Sequence, residues 1–202
     1  IFYMFVNHYF EYDYIYKHSS KGMSFKYVLV SFWGGQQGSL MLWSFWHVVV
    51  SMILYFTARK WRSNVLAIFM LVQAFVMAML LGIEVWGYKL GVSPFKLVRH
   101  LNEDFGPLWA RIPDYVGVDP TFQDGRGLTP SLQNYWMIIH PPTLFLGFAL
   151  TLVPAAYAFA GLWKKDFSGW VKPALPWAYL AVGILGVGIL MGGAWAYESL
   201  NF

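Results

Sequence analysis

Gly127–Gly147, GLTPSLQNYWMIIHPPTLFLG, changes character halfway along. Up to Asn134 it is polar and bent by Gly127 and Pro130. From Trp136 it becomes apolar and stays free of Asp, Glu, Lys and Arg until Lys164. About 20 apolar residues in a helix cross the hydrocarbon core of a bilayer, and this run is long enough. One histidine, His140, stands at the change, braced by Pro141 and Pro142. The stretch therefore predicts a polar approach running into a membrane-spanning helix over about residues 136–163.

The same pattern repeats on both sides. Apolar runs at about 40–56, 65–83 and 174–197 predict three more spanning helices, and residues 1–10 resemble the outer end of a fifth. Hydrophobic residues make up 58% of the chain, aromatic residues 20% and charged residues 12%. An ordinary soluble domain carries roughly 25% charged residues. The predicted fold class is all-α: a polytopic helical membrane protein with four full transmembrane helices and the end of a fifth, all in one integral membrane domain over residues 1–202. There is no cysteine, which excludes disulfides, thiol catalysis and thiolate metal sites within the chain. The first residue is not methionine, and the chain is expected to be an internal piece of a larger protein.

Between the helices, residues 7–26 read as a polar loop. Its Tyr9, Phe10, Tyr12, Tyr14 and Tyr16 suit an aromatic belt at headgroup depth. Ser31–Ser39 reads as a glycine-bent approach to the helix at 40–56. Residues 84–133 form a long external loop, rich in Pro and Gly. Within it Ser93-Pro94 is a credible helix start, and Phe95, Val98, Leu101 and Phe105 recur at helical spacing, so a short amphipathic helix on the membrane surface is expected. Glycines 183, 186, 188, 192 and 193 in the last helix suit close helix packing in a membrane.

Charge gives the orientation. The short loops at 59–63 and 164–173 hold Arg59, Lys60, Arg62, Lys164, Lys165 and Lys172 against Asp166 alone. Basic short loops stay on the cytoplasmic side, so His140 and the Gly34–Gly38 turn are expected outside. The net charge of +4 is modest, and no nucleic-acid partner is expected.

Taken by itself, His140 has two readings. It is an interfacial or capping residue at a helix start, or its neutral imidazole is an axial ligand for a porphyrin iron. Gln133, Asn134 and Trp136 lie close by in sequence and suit contacts to propionates or a ring edge, although Asn134 equally suits a helix N-cap. Trp195 and Tyr197 are expected at the same external surface, where an aromatic belt explains them nearly as well. His47, in mid-helix, is read as a neutral packed residue, with ligation of a buried heme as the rival. His8, His18 and His100 carry no motif.

Three segments carry a family resemblance. Trp33–Trp43, WGGQQGSLMLW, resembles the WG(G/A)HEGSLLLW segment of the CcmF heme lyase family of System I cytochrome c maturation. Gly127–Gly147 resembles that family's LNPLLQ…HPPLLYLGY segment, and Gly192–Glu198, GGAWAYE, its GSAWAYYELGW. The three occur in the family's order and span essentially the whole chain. Gln36-Gln37 replace the family's His-Glu, Thr129 replaces an Asn, and the loop at 84–126 is longer than usual.

The resemblance implies heme lyase activity in cytochrome c assembly, with the chain ending just before the tryptophan-rich WWD motif. It implies His140 as the first of two external histidines that ligate b-type heme in transit to cytochrome c, with the second outside this chain. Implied partners are heme, apocytochrome c with its CXXCH motif, other maturation subunits including a heme chaperone, and the lipid of a bacterial inner membrane with His140 on the periplasmic side. The alternatives are a CcsA-type System II protein for heme handling or export, and a structural membrane subunit.

Overall fold

A computed structural model of the protein describes residues 1–100 and 122–200. Among the described residues the helices are α1 (Phe2–Val6), α2 (Asp13–His18), α3 (Phe25–Val30), α4 (Gln36–Thr57), α5 (Arg62–Leu81), α6 (Trp136–Lys164) and α7 (Val171–Leu200). One antiparallel hairpin joins β1 (Ile83–Val85) to β2 (Tyr88–Leu90). Four helical stretches, Gln36–Thr57, Arg59–Leu81, Trp136–Lys164 and Val171–Ser199, are long and apolar enough to cross a membrane. The fold is all-α and polytopic, as the apolar runs predict.

The chain forms two compact units, Ile1–Ser39 with Leu80–Met137, and Leu40–Met79 with Ile138–Phe202. The first is organised around an aromatic core. Phe5, Phe10, Tyr14, Ile15, Tyr16 and Phe122 are all buried. The sequence predicts an interfacial belt at headgroup depth for Phe10, Tyr14 and Tyr16 within a loop, and the structure corrects this. Residues 13–18 form a helix whose aromatic side chains fill the unit's interior, where they cannot meet headgroups. The Tyr14 hydroxyl donates to Phe32 O at 2.8 Å and accepts from Gly35 N at 3.2 Å and Gly38 N at 3.1 Å. A buried phenol thus takes amides that the first turn of α4 leaves without a partner. This explains why α4 begins at Gln36, ahead of the predicted Leu40. It also explains Gly38, where a Cβ would lie 1.6 Å from Phe32 O.

The polar approach is stitched to the same unit. Asp124 accepts from Ser20 Oγ at 3.0 Å and from the amides of Lys21 and Gly125, both at 2.8 Å. Partial burial pulls its carboxyl up, but these donors outweigh it and hold the group below the ordinary value. Asp13 N donates to Lys96 O and Val98 N to Glu11 O, each at 2.9 Å.

Those backbone bonds correct the amphipathic helix expected from Ser93. Pro94 and Phe95 form a turn, Leu97 bridges to Tyr12, and only Val98–His100 is helical, as a single 3-10 turn. The backbone of 96–98 is committed to pairing with residues 11–13, which a helix cannot offer. Leu101 and Phe105 lie outside the described residues. A hairpin over 83–90 stands where the sequence predicts a helix ending at 83 and a loop from 84. Its Trp86 and Gly87 have φ of 51° and 80°, the paired positive values of a two-residue turn that suits strand twist. Gly82, at φ 69°, ends α5 just before it.

The second unit packs parts of α4–α7 around Val50, Leu54, Trp61, Val65, Phe69, Val153 and Tyr157, with Ala149, Ala156, Ala160, Ala174 and Ala181 between them. Small residues bring the backbones close, as in other membrane bundles. A Cβ on Gly147 would stand 2.8 Å from Leu185 Cα, and one on Gly188 would stand 3.0 Å from Leu144 Cα. The α4–α5 and α6–α7 turns share one end of this unit, where Lys60 pairs with Asp166 at 3.4 Å and Lys164 donates to the carbonyl of Lys60.

Candidate functional site

Proline shapes the start of α6. Pro141 has no N–H, so the carbonyl of Met137, four residues earlier, loses its helical donor. In the first unit the Trp33 indole fills that role, with Nε1–H donating to Met137 O at 2.8 Å. The WGG segment is thereby tied to Met137, at the start of α6, by one bond. Thr143 Oγ1 donates back to Ile139 O at 2.8 Å, bracing the next turn.

Gln133 and Asn134, expected near a ligand, support the approach. Gln133 Nε2 donates to Leu128 O at 2.7 Å, while its own carbonyl accepts from Tyr27 Oη at 3.0 Å. Asn134 Oδ1 accepts from Met137 N at 3.2 Å and its amide donates to Ser131 O at 3.1 Å. The first of these is an N-cap bond, the second of the two sequence readings for this residue. Trp136 is the first residue of α6, one turn ahead of His140, with its ring edge-on to Tyr135 at 5.8 Å.

His140 lies in the second unit, half-buried against α7. Its Nδ1 lies 2.9 Å from Gly188 O. A carbonyl only accepts, so Nδ1 carries the hydrogen and, in the neutral ring, Nε2 carries the lone pair. This is the arrangement by which a backbone carbonyl sets the tautomer of a metal-ligating histidine. The ring also meets the Trp195 indole edge-on, with centroids 5.6 Å apart. Gly192 completes the fit, because a Cβ there would come within 2.8 Å of His140 Cε1. His140 and Trp195 are thus brought together. Tyr197 is not part of that contact. Two residues beyond Trp195, it lies roughly 200° around the helix and is exposed.

His47 is buried in the second unit. Its Nδ1 faces Gln73 Oε1 at 3.1 Å, and its ring lies between Trp43 and Phe69, with centroids at 5.5 and 5.8 Å. Sequence reasoning did not single out Trp33, Gly188 or Tyr14 for these roles. The missing N–H of Pro141 was the one signal that pointed to a donor for Met137 O.

These features define a polytopic helical membrane protein with an oriented imidazole near the start of a spanning helix. Residues 33–201 match the cytochrome C assembly protein family, and the chain belongs to it. It is similar to the cytochrome c-type biogenesis protein CcmF of Haemophilus influenzae, at 30% identity over 100% of this chain and 28% of that protein. CcmF of Pseudomonas fluorescens is 28% identical over 99% of this chain and 27% of its own length. CycK of Rhizobium meliloti, also a cytochrome c-type biogenesis protein, is 27% identical over 92% of this chain and 24% of its length. The chain spans less than a third of the length of these relatives. No solved structure matches it.

Proposed function

We propose that this chain holds heme at the outer face of a bacterial inner membrane and presents it for covalent attachment to apocytochrome c. The observation that carries the reading is His140, with Nδ1–H given to Gly188 O and the Nε2 lone pair left for iron. Heme is the cargo here, delivered by other maturation subunits. A second axial histidine comes from outside the chain. Trp195, edge-on to the imidazole, limits how the ring can turn.

The attachment needs no net oxidation. A cysteine thiol of CXXCH adds across a heme vinyl group, sulfur bonding to one carbon and the proton going to its neighbour. The contribution of this chain is placement. Holding the two reactants at reacting distance removes much of the entropic barrier, and the chemistry belongs to the cofactor and the thiols. The basic turns at 59–63 and 164–173 favour the cytoplasm, which supports a periplasmic position for His140.

The test is the visible spectrum of the full protein in detergent, with its other heme-ligating histidines replaced, compared with and without His140→Ala. A Soret band lost or shifted by the substitution is the expected result. An unchanged band would remove His140 as a ligand and return it to a purely structural role at the start of α6. Absence of heme from both proteins would favour a structural subunit.

A further inference from the structure

The end of the second unit opposite His140 carries a concentration of positive charge that the heme reading uses only for orientation. Arg59, Lys60, Arg62, Lys164 and Lys165 gather where α4 passes to α5 and α6 to α7, and Asp166 is the single carboxylate in these two turns. Helix C-terminal charge preference accounts for some of them, but three features go further.

The first is convergence. The ammonium groups of Lys60 and Lys164 both lie against the Trp61 ring, 5.0 and 5.3 Å from its centroid, and Lys164 also donates to the Lys60 carbonyl. Two like charges are held on one buried indole, and only that of Lys60 is met by Asp166, at 3.4 Å. The second is backbone conformation. Lys165 has φ 56°, and Asp166 N donates to Gly161 O at 3.0 Å while Lys165 N donates to Leu162 O at 3.2 Å. This is a Schellman ending with lysine in the left-handed position that glycine usually fills. Arg59, just past α4, has φ 46°. Both turns place a cation where a relaxed backbone calls for glycine. The third is position. Arg62 and Lys172 stand in the first turns of α5 and α7, where the macrodipole disfavours cations, and neither turn holds an acid.

The setting selects the anion. These turns end the membrane-spanning stretches, so they lie at headgroup depth. Beside them Trp163 and Phe167 are 64% and 69% exposed, offering apolar surface to acyl chains. We propose that the Lys60–Trp61–Lys164 cluster, with Arg59 and Lys165, is a binding site for the phosphate headgroup of an anionic phospholipid.

The test incubates the full protein in dodecyl maltoside with equal amounts of phosphatidylglycerol and phosphatidylcholine bearing the same acyl chains. Retained lipid is read by native mass spectrometry. Phosphatidylglycerol is expected in clear excess, and the excess should fall in Lys60→Gln/Lys164→Gln by roughly fivefold per charge removed. Arg59→Gly/Lys165→Gly removes two charges while relaxing the backbone, so it should lower the preference in a protein that still folds. Lys17→Gln/Lys21→Gln, in the other unit, should leave it unchanged. Equal retention of the two lipids would overturn the proposal, as would a preference that survives both cluster variants. Inorganic phosphate displacing the lipid better than chloride at the same ionic strength would assign the site to a free anion instead.

Discussion

Replacing Tyr14 by phenylalanine removes one oxygen and leaves the ring. Edge contact with Phe5, at 5.6 Å between centroids, and packing against His18, at 4.6 Å, stay available to the variant. Three hydrogen bonds are lost, to Phe32 O, Gly35 N and Gly38 N. The residue is 1% exposed, so water cannot readily replace the hydroxyl. At a net ~1 kcal/mol per bond, with partial relaxation of the exposed end of α4, the expected loss is about 2–4 kcal/mol. That is a large share of a typical folding free energy of about 5–15 kcal/mol. The assay is tryptophan fluorescence of the detergent-solubilised protein during unfolding in a dodecyl sulfate gradient. Hydrogen exchange should also speed up at the amides of Gly35 and Gly38. A change below about 0.5 kcal/mol with unaltered exchange would refute the capping role.

Gly192→Ala brings a methyl group to 2.8 Å from His140 Cε1 as the ring now stands, so the imidazole must turn. On the heme reading its Soret band should shift while the unfolding midpoint moves little; an unmoved band would show that the ring has room. Trp33→Phe leaves Met137 O without the donor that replaces the Pro141 amide, at a cost of about 1 kcal/mol. Adding Pro141→Ala restores a backbone N–H for that carbonyl and should recover most of the loss in a double-mutant cycle; simple additivity would contradict the link. Burial pushes the His18 imidazole below its usual value, against hydrogen bonding to Tyr14 O and the charge of Asp13. Its folded pKa is the lower one, so the neutral form contributes stability above the unfolded pKa, near 6.5, and that stability is lost as pH falls through the depressed folded value. Unfolding midpoints measured from pH 7 downward should decline, and His18→Phe should flatten the decline. Asp124 cannot produce that slope, because its lowered pKa puts its own loss at more acidic pH.

The apolar runs announced the membrane helices because lipid demands length and the absence of charge, and both are visible in a linear string. Gln73 and His47 stood out for the same reason, although their pairing across α4 and α5 did not. The small elements were hidden because their cause is tertiary. Residues 13–18 look like a polar loop until Tyr14 is seen to hold Gly35 and Gly38. Residues 96–98 keep helical spacing yet spend their backbone on residues 11–13. The turn at Trp86-Gly87 carries tryptophan where asparagine is the usual sign. Around His140 the sequence supplied the imidazole and the bracing prolines. What aims the imidazole, a carbonyl on α7 that depends on how the two helices pack, has no signature in the chain.

The bond from Trp33 to Met137 also sets an order in time. Its partners are 104 residues apart, and the indole is made first. At roughly 5–20 residues per second of synthesis, the ribosome needs about 5–20 s to pass from one to the other. Through that interval the Trp33 donor stands ready while its acceptor has not yet been translated. The first turn of α6, deprived by Pro141 of its own closing bond, gains its fixed geometry only when the later segment docks against a partner already in place. The start of α6 therefore sets only after the Trp33 segment has been made.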